Sequence, residues 1–344
     1  MKYISTKDAI GHVLCHDITQ IIPGEKKGPV FKKGHIITKE DVPVLLSVGK
    51  ENIYVWEKKE GILHEDEAAF ILKDIIMGAS PNMEFFGPSE GKIEIRAKAD
   101  GLLKIRSEAL RTVNSIEDIM IATRHGNTPV KAGDKLAGTR VIPLVIEEEK
   151  LKLAKEAAGN GPLLEVLPFK KVRYGIITTG SEVAKGLIKD AFGPILKAKM
   201  SEYEADLIGQ TILSDDKEEI VRAISGYMEK DADLILISGG MSVDPDDRTP
   251  SAIRESGAKI VSYGAPVLPG AMFMLSYMET LEKSVPVLGL PGCVMFAKRT
   301  IFDLVLPRIL AGERLSREDI TDYGEGGLCL SCDTCHYPIC GFGK

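Results

Sequence analysis

Three stretches gather the glycines, hydroxyls and carboxylates that could do chemistry. They read Thr178-Thr179-Gly180-Ser181-Glu182, then Ser238-Gly239-Gly240-Met241-Ser242-Val243-Asp244-Pro245-Asp246-Asp247-Arg248-Thr249-Pro250, then Leu290-Pro291-Gly292-Cys293. Glycine lets a backbone approach a ligand closely and leaves N–H groups free to face oxyanions. Serine and threonine add hydroxyl donors. A helix starting just after such a turn adds the positive end of its dipole. The matching ligand is polar and anionic. Asp244, Asp246 and Asp247 add a further feature, because carboxylates beside a phosphate commonly share a Mg²⁺ ion. Any one of these turns alone is ordinary: a Ser-Gly-Gly turn usually only reverses the chain, and an aspartate cluster is usually solvated. Thr249, with Pro250 behind it, would cap a helix with no ligand present. Three such loops in matching positions are what point to a site.

A fourth stretch carries sulfur. Of six cysteines, Cys15 and Cys293 stand alone, while Cys329, Cys332, Cys335 and Cys340 crowd into the last sixteen residues. Such a cluster in a long intracellular chain reads as a metal or redox site before a disulfide framework. Four thiolates suit zinc or an iron–sulfur cluster. The spacing loosely follows the bacterial ferredoxin run, with one extra residue before the last cysteine, and His336 is a substitute ligand. The glycine-rich segment around these cysteines has too few apolar residues to fold alone. The bland alternative is a flexible tail of free thiols.

The elements that must position these groups follow from periodicity. Val172–Thr178, Asp233–Ile237 and Val285–Leu290 are compact apolar runs that lead directly into the three loops, which predicts buried strands ending at one edge. Leu196, Met200, Tyr203 and Leu207 recur at helical spacing over Pro194–Leu207, as do Ile220, Ile224, Tyr227 and Met228 over Lys217–Lys230. A helix is also expected from Thr249 to Gly257, strand at Lys259–Tyr263, and one long helix over Val294–Leu310. Alternating buried strands and amphipathic helices predict an α/β fold with a doubly wound, mostly parallel sheet. Ahead of it lie smaller β-rich regions, with helices at Glu40–Val48, Asp66–Met77 and Lys150–Ala158. Gly78–Gly91, rich in Gly, Pro, Ser and Asn, is a candidate hinge. These readings divide the chain into an N-terminal α+β domain at 1–78, a β-rich domain and linker at 79–165, the α/β domain at 166–315 and the Cys-rich tail at 316–344.

The 344 residues are enough for two or three domains. A net charge of −6 argues against a general nucleic-acid binder. No apolar run reaches the roughly 20 residues that a membrane helix needs, and the N-terminus has no signal-peptide pattern, so a cytoplasmic protein is expected. Lys32, Lys33, Lys58 and Lys59 read as solvated, His125 as a loop residue and Trp56 as core. Lys298 and Arg299 are placed on a helix near the third loop, where they could meet phosphate.

The three loops together resemble the molybdopterin-binding domain shared by the MoeA-like molybdenum insertases, the MogA-like adenylyltransferases and gephyrin. Thr179–Glu182 resembles the family's Thr-Gly-x-Glu turn. Ser238–Ser242 with Asp247-x-Thr249 resembles its Ser-Gly-Gly-x-Ser loop and essential aspartate, and Leu290-Pro291-Gly292 its Leu-Pro-Gly-Asn-Pro loop. The likeness covers residues 171–311. Ser181 stands where the family usually has Asp, Phe192 where it has Asn, Leu268-Pro269-Gly270-Ala271 where it has Lys-Pro-Gly-Lys, and Cys293 where it has Asn. The resemblance implies molybdopterin or its adenylylated form as ligand or substrate, with molybdate and Mg²⁺, in molybdenum cofactor biosynthesis. It implies catalytic roles for Asp247, Asp246 and Glu182. It implies ligand contacts at Thr179, Gly180, Ser181, Ser238, Gly239, Gly240, Met241, Ser242, Asp244, Thr249, Pro291, Gly292 and Cys293.

A molybdenum insertase is the leading expectation, working as a homo-oligomer. Asp246-Asp247-Arg248-Thr249 also resembles the CinA-like branch of the fold, which implies a nucleotide pyrophosphatase instead. A third reading is a non-catalytic molybdopterin carrier or sensor, which suits the loss of two phosphate-facing lysines at Leu268 and Ala271.

Overall fold

The computed structural model describes residues 2–22, 26–55, 60–242 and 247–344. Trp56, Lys58, Lys59, Asp244 and Asp246 lie outside them. By compactness the chain forms two units. The first comprises residues 1–98, 105–124 and 133–165, the second residues 99–104, 125–132 and 166–344. Among the described residues no helix is long and apolar enough to cross a membrane.

In the first unit, Lys2–Ser5 pairs antiparallel with Asn52–Val55. A four-stranded sheet runs in the order Met83–Ser89, Lys92–Ala97, Lys135–Val141, Ile119–Thr123. Half of the stretch expected as a hinge is therefore strand. Met83–Ser89 pairs with its neighbour despite Gly87 and Pro88, through a register shift between Phe86 and Ser89. Such a bulge is how a sheet edge absorbs residues that weaken a strand. Helix Glu65–Met77 starts from a capping box: the His64 side chain accepts from the helix backbone and Glu67 returns to the His64 N–H. Lys33 is not simply solvated, because its ammonium lies 2.9 Å from His64 Nδ1 and also donates to Asp66.

The second unit contains the expected doubly wound sheet. Its six strands are β1 (Val172–Thr179), β2 (Ala205–Leu213), β3 (Leu234–Ser238), β4 (Lys259–Tyr263), β5 (Met274–Glu279) and β6 (Ser284–Leu290). They lie in the order β2-β1-β3-β6-β5-β4. β2, β1, β3 and β6 are parallel neighbours, and β5 and β4 close one side antiparallel. Alternation along β3 sends Leu234 and Leu236 into one apolar core and Ile235 and Ile237 into the other. A central strand covered on both faces reads as a continuous apolar run for this reason. Helices α1 (Phe192–Met200), α2 (Lys217–Glu229) and α3 (Thr249–Glu255) follow β1, β2 and β3, and α4 (Ile301–Leu310) follows β6.

Two expectations fail here. The helix expected over Pro194–Leu207 ends at Met200, and Leu207 lies on β2, an edge strand whose residues are half-buried or exposed. The helix expected over Val294–Leu310 is broken. A short 3-10 turn covers Gly292–Met295, and Thr300, in extended conformation, caps α4 by a box with Asp303. Lys298 and Arg299 therefore precede the helix rather than ride on it.

α4 also explains how the tail is held. Pro307 lies inside it and has no N–H, so the carbonyl of Asp303 loses its helical partner. The Tyr337 hydroxyl of the tail donates to that carbonyl at 2.7 Å. Tyr323 and Phe342 join the apolar core around Phe302, Leu304 and Val305. The Cys329 N–H donates to the Leu268 carbonyl at 2.8 Å. The tail is thus packed against the α/β unit by its few apolar residues rather than separate from it.

Candidate functional site

Register brings the three loops together. Thr178 of β1 lies beside Ser238 of β3, and Ser238 beside Leu290 of β6. The strands are parallel, so the loops that follow them leave the sheet from one edge, the edge at which doubly wound sheets bind ligands.

The first two loops are tied closely. Gly239 has φ +93° and Gly240 φ +54°, a region that glycine enters without strain. A Cβ on Gly239 would lie 2.1 Å from the Thr179 carbonyl oxygen. A Cβ on Gly240 would lie 2.8 Å from the Thr249 hydroxyl. That hydroxyl donates to the Gly239 carbonyl at 2.9 Å and lies 3.2 Å from the Thr179 hydroxyl. Thr249 does not cap α3 as expected: the cap position is Arg248, which makes no side-chain cap bond, and Thr249 is buried as the first helical residue. Its hydroxyl joins the loops instead. Ser238 is fully buried, and its hydroxyl has no hydrogen-bond partner among the described residues.

Asp247 Oδ2 accepts the Ser242 N–H at 2.7 Å, which closes the second loop on itself. Met241 contributes differently from its neighbours. Its side chain is buried in the core against the Gly289 position, so only its backbone faces the loop chemistry. Glu182 is exposed. In the third loop Pro291 is buried, Gly292 is exposed, and Cys293 is half-buried, which pushes its thiol above the usual value. A thiol so shifted stays protonated near neutral pH.

One residue that organises the site escaped the sequence reading. Asp215 Oδ2 accepts both the Ser181 N–H at 2.9 Å and the Ser181 hydroxyl at 3.2 Å. It sits just beyond β2, and the missed strand hid it. The signal lay in Ser214-Asp215-Asp216, where Asp216 caps α2 and leaves Asp215 free to turn inward. Lys298 and Arg299 are committed elsewhere. The Lys298 ammonium donates to the Asp333 carbonyl at 2.6 Å, and Arg299 pairs with Glu202 at 3.0 Å and Asp303 at 2.9 Å. Among the described residues no group of three or more His, Cys, Asp or Glu is placed to hold a metal ion, at the loops or in the tail. Asp247 is the one aspartate of the acidic loop within the described residues.

A doubly wound sheet with three glycine-bearing loops at its carboxyl edge defines a ligand-binding α/β domain. Residues 175–311 match the family described as a probable molybdopterin binding domain. Residues 3–57 match a domain of unknown function. A molybdopterin molybdenumtransferase from Nostoc is 26% identical over 213 residues, covering 60% of this chain and 48% of that protein. A CinA-like protein from Pseudothermotoga lettingae is 37% identical over 81 residues, covering 24% of this chain and 20% of that protein. The chain thus spans less than half the length of either relative. The tungsten cofactor synthesizing protein MoaB from Pyrococcus furiosus superposes with a TM-score of 0.32 at 24% identity, covering 36% of this chain and 84% of that one.

Proposed function

We propose that the carboxyl edge of the sheet binds molybdopterin or its adenylylated form, and that the protein acts in molybdenum cofactor biosynthesis as a molybdenum insertase. The observation that carries this reading is the Ser238–Gly240 turn. It places a buried hydroxyl with no partner among the described residues, and two glycines with no room for a side chain, beside the first loop. Backbone N–H groups at such a turn suit the ligand's phosphate, and Ser238 supplies a further donor. Thr179, Gly180 and Ser181 would line the opposite wall, with Glu182 toward solvent and Pro291–Cys293 closing the third side.

Mg²⁺ is usually held by one or two carboxylates plus substrate phosphates rather than by an all-protein cage. A single half-buried carboxylate at Asp247 fits that mode, with Asp244 and Asp246 as further donors. Bound there, the ion would neutralise phosphate charge. Asp247 itself holds the loop through the Ser242 N–H. Molybdate as second substrate and a homo-oligomeric state belong to the same proposal. The metal expected on the tail cysteines would be bound independently of this ligand.

Two other readings each have an observation behind them. The resemblance of Asp246-Asp247-Arg248-Thr249 to the CinA-like branch, beside a match to a CinA-like protein, favours hydrolysis of a dinucleotide at the same loops. Leu268 and Ala271, where the family has lysines, favour binding without transfer. Incubation of purified protein with molybdopterin, adenylylated molybdopterin plus molybdate, and ADP-ribose separates the three. Molybdenum-dependent release of AMP supports the insertase. Cleavage of ADP-ribose without molybdate supports the pyrophosphatase, and binding without any product supports the carrier. Absence of binding to both pterins would sink the ligand assignment.

A further inference from the structure

We propose that the tail holds a 4Fe–4S cluster, with Cys329, Cys332, Cys335 and Cys340 as its ligands. The site is a cavity of about 560 Å³ in the second unit, and all four of these cysteines line it, together with His336. None of the three-loop residues contributes to its lining. All four cysteines are free rather than paired in disulfides.

The cavity has a built frame. The Cys329 N–H is bonded to Leu268, the Tyr337 hydroxyl to the carbonyl that Pro307 orphans, and the Gly343 N–H to the Gly326 carbonyl at 2.9 Å. Phe342 is buried in the core below, and Arg299 lies over the Tyr337 ring at 5.2 Å. The segment between Cys329 and Phe342 is therefore anchored at both ends and in the middle, and it curves around a space instead of filling it.

The spacing of the cysteines along the chain selects the kind of metal. A tetrahedral zinc has Zn–S bonds of about 2.3 Å and needs its thiolates drawn to one point. Here four thiols line one cavity. A cubane cluster asks for the opposite arrangement, with one thiolate on each iron corner and the corners separated by the cluster's own width. Three cysteines at successive three-residue steps fit three corners, and the longer reach to Cys340 fits the fourth. Each thiol gives up its proton on ligation, so the site gains negative charge. The Lys298 ammonium, fixed on Asp333 in the cavity wall, offsets part of it.

The site stands independently of the ligand at the loops. The full chain is purified without oxygen, or reconstituted with ferrous iron, sulfide and thiol, and iron, sulfide and zinc are counted. About four iron and four sulfide per chain are expected, with broad visible absorbance that bleaches on dithionite reduction. Cys332→Ser and Cys335→Ser should each lose most of that iron while circular dichroism shows an unchanged fold, and Cys15→Ser should keep it. Wild-type stoichiometry is read without any variant, so a misfolded variant does not block the test. One zinc per chain with no iron would overturn the cluster. So would a metal-free protein whose tail thiols are alkylated at the rate of a model thiol.

Discussion

Ser238 separates fold from function at the level of one atom. Its buried hydroxyl has no partner among the described residues, so its removal relieves a desolvation cost instead of breaking a bond. Ser238→Ala should leave the melting temperature unchanged or slightly higher. It should weaken molybdopterin binding by about 1 kcal/mol, roughly fivefold in Kd, measured by titration calorimetry. The two loop glycines offer a contrast. Gly239→Ala sets a methyl against the Thr179 carbonyl at a positive φ, and should cost more than about 2 kcal/mol. Gly292→Ala meets nothing within 4 Å and should change stability by less than about 0.5 kcal/mol; denaturant unfolding of both compares them directly. Asp247→Asn keeps an oxygen for the Ser242 N–H and loses only charge. It should lower turnover of adenylylated molybdopterin on the order of 100-fold with little change in binding. Equal turnover in mutant and wild type would remove Asp247 from the mechanism.

At the scale of elements, α4 is the hub of the second unit. Its capping-box residue Asp303 is buried and takes the Lys199 ammonium at 2.7 and 2.8 Å, Arg299 at 2.9 Å and the Thr300 N–H at 2.7 Å. Removing the carboxylate strands a buried lysine, and stranded buried charges are costly. Asp303→Ala should destabilise the unit by about 3–5 kcal/mol. Lys199→Met in the same chain should recover part of that loss, so a strictly additive double mutant would show that the pair is not coupled. This junction was only partly legible. The apolar spacing of Ile301–Leu310 announces a helix, and Pro307 reads as a fault in it. The Tyr337 hydroxyl that repairs the fault is 34 residues from the carbonyl it reaches, and no local pattern records such a contact.

For the molecule as a whole, the two units should respond differently to acid. His16 and His64, both in the first unit, are held below the ordinary histidine value of 6.5, in each case mainly by burial. Lys50, then the neighbouring His64, adds to the effect on His16, and Lys33 adds to it on His64, while Asp17, Glu90, Asp66 and Glu67 oppose it. Protonating His64 Nδ1 would also remove the acceptor that caps helix Glu65–Met77. The unfolded chain then binds more protons than the folded unit. Stability is complete above 6.5 and falls as pH drops from there through the lowered folded values. Glu65 has the opposite sign, since burial raises its carboxyl above 4.5. The first unit should therefore melt progressively earlier below pH 6.5, and His64→Gln, which caps without titrating, should flatten that slope. An unchanged slope in the variant would show that His64 is not its source.

The sequence by itself determined where the three loops begin. A fully buried strand must be a continuous apolar run, and a glycine directly after it marks the point where the chain leaves the sheet. It also showed the four closely spaced tail cysteines, which are visible without any fold. It did not reveal β2, whose edge position leaves a half-exposed pattern with Leu207 in step with the preceding helix. With β2 went Asp215, the anchor of Ser181. Thr249 reads from the sequence as a cap, a role that Arg248's position takes instead. Only the tertiary structure could turn its hydroxyl toward Gly239 and Thr179, because those partners are 10 and 70 residues away. Periodicity records how each residue meets water or core along its own element. Which distant groups then face one another is set by strand order and register, and these are properties of the assembled sheet.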